Sequence, residues 1–170
     1  HGVLFTGSTE VARLLQRELA GRLTAAGQVV PLIAETGGQN AMVVDSSALA
    51  EQAVADIVSS AFDSCGQRCS ALRLLCVQDD GADRLLEMLQ GAVLELEVGD
   101  PRFLATDVGP VIDADAESII ENHATAMAAK GCRVWRLPLA LDAELAERGH
   151  FVAPTVIEVE RVADLGREVF

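Results

Sequence analysis

Phe62-Asp63-Ser64-Cys65-Gly66-Gln67-Arg68-Cys69-Ser70 stands between an alanine-rich segment and an apolar run. Upstream, residues 48–63 carry Ala53, Ile57, Val58 and Ala61 at helical spacing, which predicts a helix. Downstream, Leu72–Val77 is short and apolar, which predicts a buried strand. Helix, polar glycine-containing loop, buried strand is the repeating unit of an α/β domain.

The same alternation continues outward. Val3-Leu4-Phe5-Thr6 reads as a short strand ending at Gly7. Ser8 or Thr9 can cap a helix over 10–22, where Val11, Leu14, Leu15 and Leu19 keep one apolar face. A strand over 29–34 runs to Glu35 and a Gly37-Gly38 turn, and 41–44 is another strand. Later come a helix over 82–96 closed by Gly99-Asp100-Pro101, and a helix over 113–129 stopped by Gly131. Val134-Trp135 and 155–159 read as short strands, and 137–149 as loop or irregular helix. The expected fold is a layered α/β sheet with helices on both faces. No internal repeat or low-complexity segment occurs.

Composition narrows the function classes. Half of the 170 residues are hydrophobic and 23% are charged, as in an ordinary globular chain with a buried core. The 26 acidic against 13 basic residues give a net charge of -13, which argues against nucleic-acid binding because phosphate would be repelled. No apolar run approaches the roughly 18 residues of a membrane span. The start, His1-Gly2-Val3-Leu4-Phe5, lacks an initiator Met and the basic and apolar regions of a signal peptide, so the segment reads as the interior of a longer protein. Cys65, Cys69, Cys76 and Cys132 match no zinc spacing, so no metal is expected, and reduced thiols in a cytosolic compartment fit best.

Three stretches could carry chemistry. In the opening loop, Cys69 follows a polar turn and is flanked by Arg68, whose charge could favour a thiolate. Cys65, at the helix end, is the better candidate for burial, and both cysteines could equally be inert small hydrophobes. Glu35-Thr36-Gly37-Gly38-Gln39-Asn40 places a carboxylate at a strand end beside two glycines, where backbone can approach a ligand. A partly buried Glu there has a raised pKa and can act as a base, whereas a solvated Glu in a turn would be ordinary. Phe5-Thr6-Gly7-Ser8-Thr9 joins a strand to a helix N-terminus, which can hold a phosphate or nucleotide edge, or simply cap the helix.

In their order, and with the gap of about thirty residues from Glu35 to Cys69, these stretches resemble the aldehyde dehydrogenase superfamily. There a T-G-S turn precedes an E-x-G-G base motif and a G-Q-x-C nucleophile motif. Gly109-Pro110, Gly149-His150-Phe151-Val152-Ala153-Pro154-Thr155 and Glu168-Val169-Phe170 extend the resemblance. The wording of residues 35–49 and 60–73 is similar to the L-glutamate γ-semialdehyde dehydrogenase module of the bacterial proline utilization A proteins.

The resemblance implies NAD-dependent oxidation of L-glutamate γ-semialdehyde, the open form of Δ1-pyrroline-5-carboxylate, to glutamate. It implies Cys69 as nucleophile and Glu35 as general base. Thr6, Gly7, Ser8, Thr36, Gly37, Glu168 and Phe170 would contact NAD, and Ser70 the substrate carboxylate. The upstream Asn that donates to the oxyanion in this family has no counterpart among these residues. Residues 1–36 would end a Rossmann-like NAD-binding domain, and 37–170 would form most of the catalytic domain, truncated at both ends. The segment alone is expected to be nearly inactive. The implied parent is a larger cytoplasmic bifunctional polypeptide, homo-oligomeric when intact, with peripheral membrane association left open. FAD would belong only to a proline dehydrogenase module outside this chain. Three alternatives stand beside this reading: an aldehyde dehydrogenase of another substrate class, a cysteine-dependent acyl transferase or hydrolase using a histidine such as His150, and a non-catalytic assembly module of the same fold.

Overall fold

Val3–Thr6 (β1), Thr9–Ala20 (α1) and Leu32–Glu35 (β2) form a strand–helix–strand unit. A computed structural model of the chain describes residues 2–166 and 169. The chain separates into two compact units, residues 1–38 and 39–170.

In the first unit β1 and β2 are parallel, with Val3 opposite Leu32 and Thr6 opposite Glu35. Parallel strands need a crossover, and α1 supplies it. Of the two candidate caps Ser8 and Thr9, Ser8 caps α1, its Oγ accepting the Val11 N–H at 3.2 Å. Glu10 in the first turn and Arg17 in the last suit the helix dipole. The expected strand over 29–34 is displaced: β2 starts at Leu32 and includes Glu35. Pro31 is the reason, since it has no N–H to enter a ladder, although its carbonyl accepts from the Val3 N–H at 2.9 Å. Val29 instead makes an isolated antiparallel bridge with Leu23.

The second unit opens with Asn40–Val44 (β3), crosses over through Ala50–Phe62 (α2), and returns along Leu72–Val77 (β4), parallel to β3. Asp79–Leu94 (α3) packs on α2. The core between them gathers Val44, Val54, Ile57, Leu72, Leu85 and Leu89. Helix α3 begins three residues before the expected 82, because Asp79 and Asp80 occupy its first turn, where carboxylates suit the dipole and apolar spacing says nothing.

Ala114–Ala129 (α4), Arg133–Arg136 (β5), Ala143–Arg148 (α5) and Thr155–Glu158 (β6) complete the order. Asp113 caps α4 by accepting the Ala116 N–H at 2.8 Å. Gly131 ends it at φ +88°, with its N–H on the Ala128 carbonyl and the Cys132 N–H on that of Met127. That is the Schellman closure, in which a glycine takes the left-handed position without steric cost. β5 and β6 pair antiparallel, and α4 packs on both. Helix α5 resolves the open reading of 137–149: Asp142 caps it by accepting the Leu145 N–H at 2.7 Å.

Candidate active site

The loop from α2 to β4 is held at almost every residue before Cys69. After α2, Asp63–Gly66 forms a 3₁₀ turn in which Ser64 and Cys65 have φ near +55°. Non-glycine residues rarely adopt that conformation, so surrounding contacts must hold it. They do. The Cys65 thiol donates to the carbonyls of Gly109 (3.1 Å) and Pro110 (3.2 Å). Gln67 Oε1 accepts the Ile112 N–H at 2.9 Å. Gly66, at φ +66°, has no room for a side chain, since a Cβ would lie 2.7 Å from the Ala61 carbonyl oxygen.

Arg68 departs from expectation. Its guanidinium donates to the carbonyls of Ser59 (3.0 Å) and Ser60 (3.2 Å), so its charge serves the C-terminal end of α2. Cys69 and Ser70 then follow, both exposed. Burial sorts the two cysteines as the sequence suggested: Cys65 is partly buried, and its thiol pKa is pushed up by that burial. All four cysteines are free. The location of Cys69, between α2 and the buried strand, is the one the sequence implies. It lies at the amino end of β4, not at the carboxyl strand ends where open α/β sheets usually bind ligands.

Asn40, which carries no role in the sequence reading, touches this loop directly. Its Nδ2 donates to the carbonyls of Cys69 (2.7 Å) and Ala71 (2.9 Å). Nothing in the spacing of the residues marks that contact, which depends on the register of β3 against β4. The later stretches of the chain also converge here. Gly109 and Pro110 receive the Cys65 thiol, and Val111 bridges His150, its N–H donating to the His150 carbonyl at 2.7 Å.

In the first unit the other two stretches meet. Thr6 is paired with Glu35, and the Gly7 N–H donates to the Glu35 carbonyl at 3.1 Å. Thr6, Gly7, Ser8 and Glu35 are exposed at the carboxyl ends of two parallel strands, and Thr36 and Gly37 are half-buried. Glu35 therefore lacks the partial burial expected of a tuned base. Neither Gly37 nor Gly38 has a positive φ, so the expected glycine turn is an irregular stretch of ordinary backbone. An exposed turn of small residues beside a helix N-terminus fits the edge of a nucleotide cofactor. Glu168 and Phe170 lie outside the described residues.

The histidines offer little to a hydrolase reading. His150 Nδ1 meets the Glu117 carboxylate at 2.9 Å, and among the described residues no hydrogen bond joins Cys69 to a histidine. His123 sits on α4, its pKa lowered by burial first and by Lys130 second. Among the described residues, no group of three or more His, Cys, Asp or Glu could hold a metal ion, and no helix is long and apolar enough to cross a membrane.

Comparison with known proteins gives a consistent result. The chain is 58% identical, over 99% of its length, to the bifunctional protein PutA of Salmonella typhimurium, and spans 13% of that protein. It is 35% identical, over 91% of its length, to the 1-pyrroline-5-carboxylate dehydrogenase of Geobacillus kaustophilus, and spans 29% of it. A crystal structure of a bifunctional proline utilization A protein superposes with a TM-score of 0.89 at 50% identity, covering 99% of this chain and 16% of the other. The aldehyde dehydrogenase family matches residues 1–170, end to end, and the chain belongs to that family.

Proposed function

We propose that this chain is part of an enzyme that oxidises L-glutamate γ-semialdehyde to L-glutamate with NAD+. The observation that carries the reading is Cys69: an exposed free thiol at the end of a loop immobilised on its upstream side. The substrate class is supported by the wording of residues 35–49 and 60–73 and by the names of the two relatives. The bifunctional name of the first supports a larger polypeptide, with FAD confined to a proline dehydrogenase module elsewhere in it. We place that polypeptide in the cytoplasm as a homo-oligomer.

The chemistry follows from the residues. The Cys69 thiolate attacks the aldehyde carbon and forms a C–S bond, and the carbonyl oxygen takes the negative charge. The Cys69 backbone N–H donates to that oxygen. When bound, NAD+ supplies the hydride acceptor that turns the thiohemiacetal into a thioester. Glu35 takes a proton from water as the water oxygen bonds to the thioester carbon. The C–S bond breaks, glutamate leaves, and the thiolate is regenerated. Ser70 contacts the substrate carboxylate. Thr6, Gly7, Ser8, Thr36, Gly37, Glu168 and Phe170 hold the cofactor, residues 1–36 closing its domain and 37–170 forming most of the catalytic one.

The test uses the full-length polypeptide with Δ1-pyrroline-5-carboxylate and NAD+. Cys69→Ala should abolish NADH formation. Glu35→Gln should keep a first burst of NADH while slowing steady turnover, because the thioester accumulates. Undiminished turnover in Cys69→Ala would remove the basis of the proposal.

A further inference from the structure

We propose that Asn40 is a positioning residue for the nucleophile, its side-chain amide fixing the backbone on which Cys69 stands. This rests on the reading of Cys69 as nucleophile given above. The Asn40 Nδ2 lies 2.7 Å from the Cys69 carbonyl oxygen and 2.9 Å from that of Ala71. An amide nitrogen carries two hydrogens, and these two contacts use both. Since both neighbours are acceptors, only the nitrogen side of the amide can face them.

The strand register explains why a side chain is needed. β3 and β4 pair Asn40 with Leu72, then Ala41 with Leu74, so Arg73 is passed over at an irregularity. β4 begins at Leu72, and the carbonyls of Cys69 and Ala71 precede it. The ladder of β3 therefore stops short of the nucleophile, and the Asn40 amide continues it by side chain across the last residues.

Peptide planarity turns that contact into control of the thiol. The Cys69 Cα, its carbonyl and the Ser70 N–H share one rigid plane. Holding the carbonyl oxygen orients the plane and places the Cα from which the thiol projects. Upstream, Gln67 and Arg68 are already fixed to Ile112 and to the end of α2. Asn40 is the matching downstream anchor. Ala71 is fully buried, so β4 keeps its start without Asn40, and the loosening falls on Cys69 and Ser70.

The experiment compares Asn40→Ala, Asn40→Ser and Asn40→Asp in the full-length polypeptide, with Cys69→Ala as control. Turnover is normalised to the NADH burst, KM is measured for the aldehyde, and melting temperature is recorded. Misplacing a reacting group by about an ångström costs on the order of 100-fold in rate, so kcat in Asn40→Ala should fall roughly 10- to 100-fold with KM little changed. Asn40→Asp keeps the shape but has no donor at neutral pH, and should fall as far. Asn40→Ser keeps one donor and should lie between them. A role confined to packing would spare the isosteric Asp variant and reverse that order. If kcat per burst site stays within about twofold in both the Ala and Asp variants while Cys69→Ala is inactive, the positioning role is wrong and the nucleophile stands. If Cys69→Ala still forms NADH, the nucleophile reading fails first. Should Asn40→Ala not fold, the Asp and Ser variants decide by the same order.

Discussion

The thiol of Cys65 donates to the carbonyl oxygen of Gly109 at 3.1 Å, while Cys69, four positions on, is exposed. Two thiols on one loop thus have opposite surroundings. Burial raises the Cys65 pKa, so its reactive thiolate is scarce near neutral pH. Limited iodoacetamide treatment at pH 7 followed by peptide mass mapping should label Cys69 first, by on the order of tenfold in rate. Earlier labelling of Cys65 would mean that the loop does not hold this conformation.

Gly66 gives a sharper test of the same loop. Its φ of +66° is costly for any other residue, and a Cβ would also press on the Ala61 carbonyl at 2.7 Å and Arg73 Nη1 at 2.9 Å. Gly131 has a similar φ of +88° but open space around it. Gly66→Ala should therefore destabilise by about 2–4 kcal/mol, and Gly131→Ala by only about 1 kcal/mol. Urea midpoints would show the difference, and equal losses would remove the steric part of the argument.

What the sequence revealed was whatever local rules decide. A cap at Ser8 or Thr9, the Gly131 stop and the strand Leu72–Val77 follow from one residue or one period, and the structure has them, with Ser8 as the cap. Competing local rules displaced other boundaries: Pro31 outweighed the apolar run before β2, and acidic first-turn residues extended α3. The candidate nucleophile was legible from its motif. The role of Asn40 was not, because its partners at 69 and 71 depend on strand register, which no spacing encodes. Arg68 was misread for the same reason: sequence adjacency to Cys69 says nothing of which way a long side chain turns.

The pair Arg136–Glu121 should leave a signature in pH. The Arg136 guanidinium makes a two-pronged contact with the Glu121 carboxylate, and Arg136 Nε also donates to Thr155 Oγ1 at 3.1 Å. The hydrogen bond from Arg136 is the main cause that lowers the Glu121 pKa. A carboxylate depressed in the folded state stabilises fully above its unfolded pKa, about 4.3, and loses that contribution as pH falls through the folded value. Both side chains are partly solvated, so the gain is no more than about 1 kcal/mol. Between pH 7 and pH 3, Glu121→Gln should lose less stability than the parent chain. Parallel stability curves would show that the pair contributes nothing.

Burial should also separate two leucines. Leu89, 2% exposed, lies on the inner face of α3 among Val54, Ile57, Leu85 and Val93. Leu104, fully exposed, sits in the loop after Gly99 and is absent from that core. Truncating a buried Leu removes both its transfer free energy and the contacts of the cavity left behind, so Leu89→Ala should cost about 2–5 kcal/mol. A surface Leu loses nothing on folding that alanine would change, so Leu104→Ala should stay within about 0.5 kcal/mol. Denaturant titration of both variants in the full-length polypeptide checks the contrast. A cost at Leu104 comparable to that at Leu89 would mean that the loop is covered by protein, because only burial can make its side chain matter to stability.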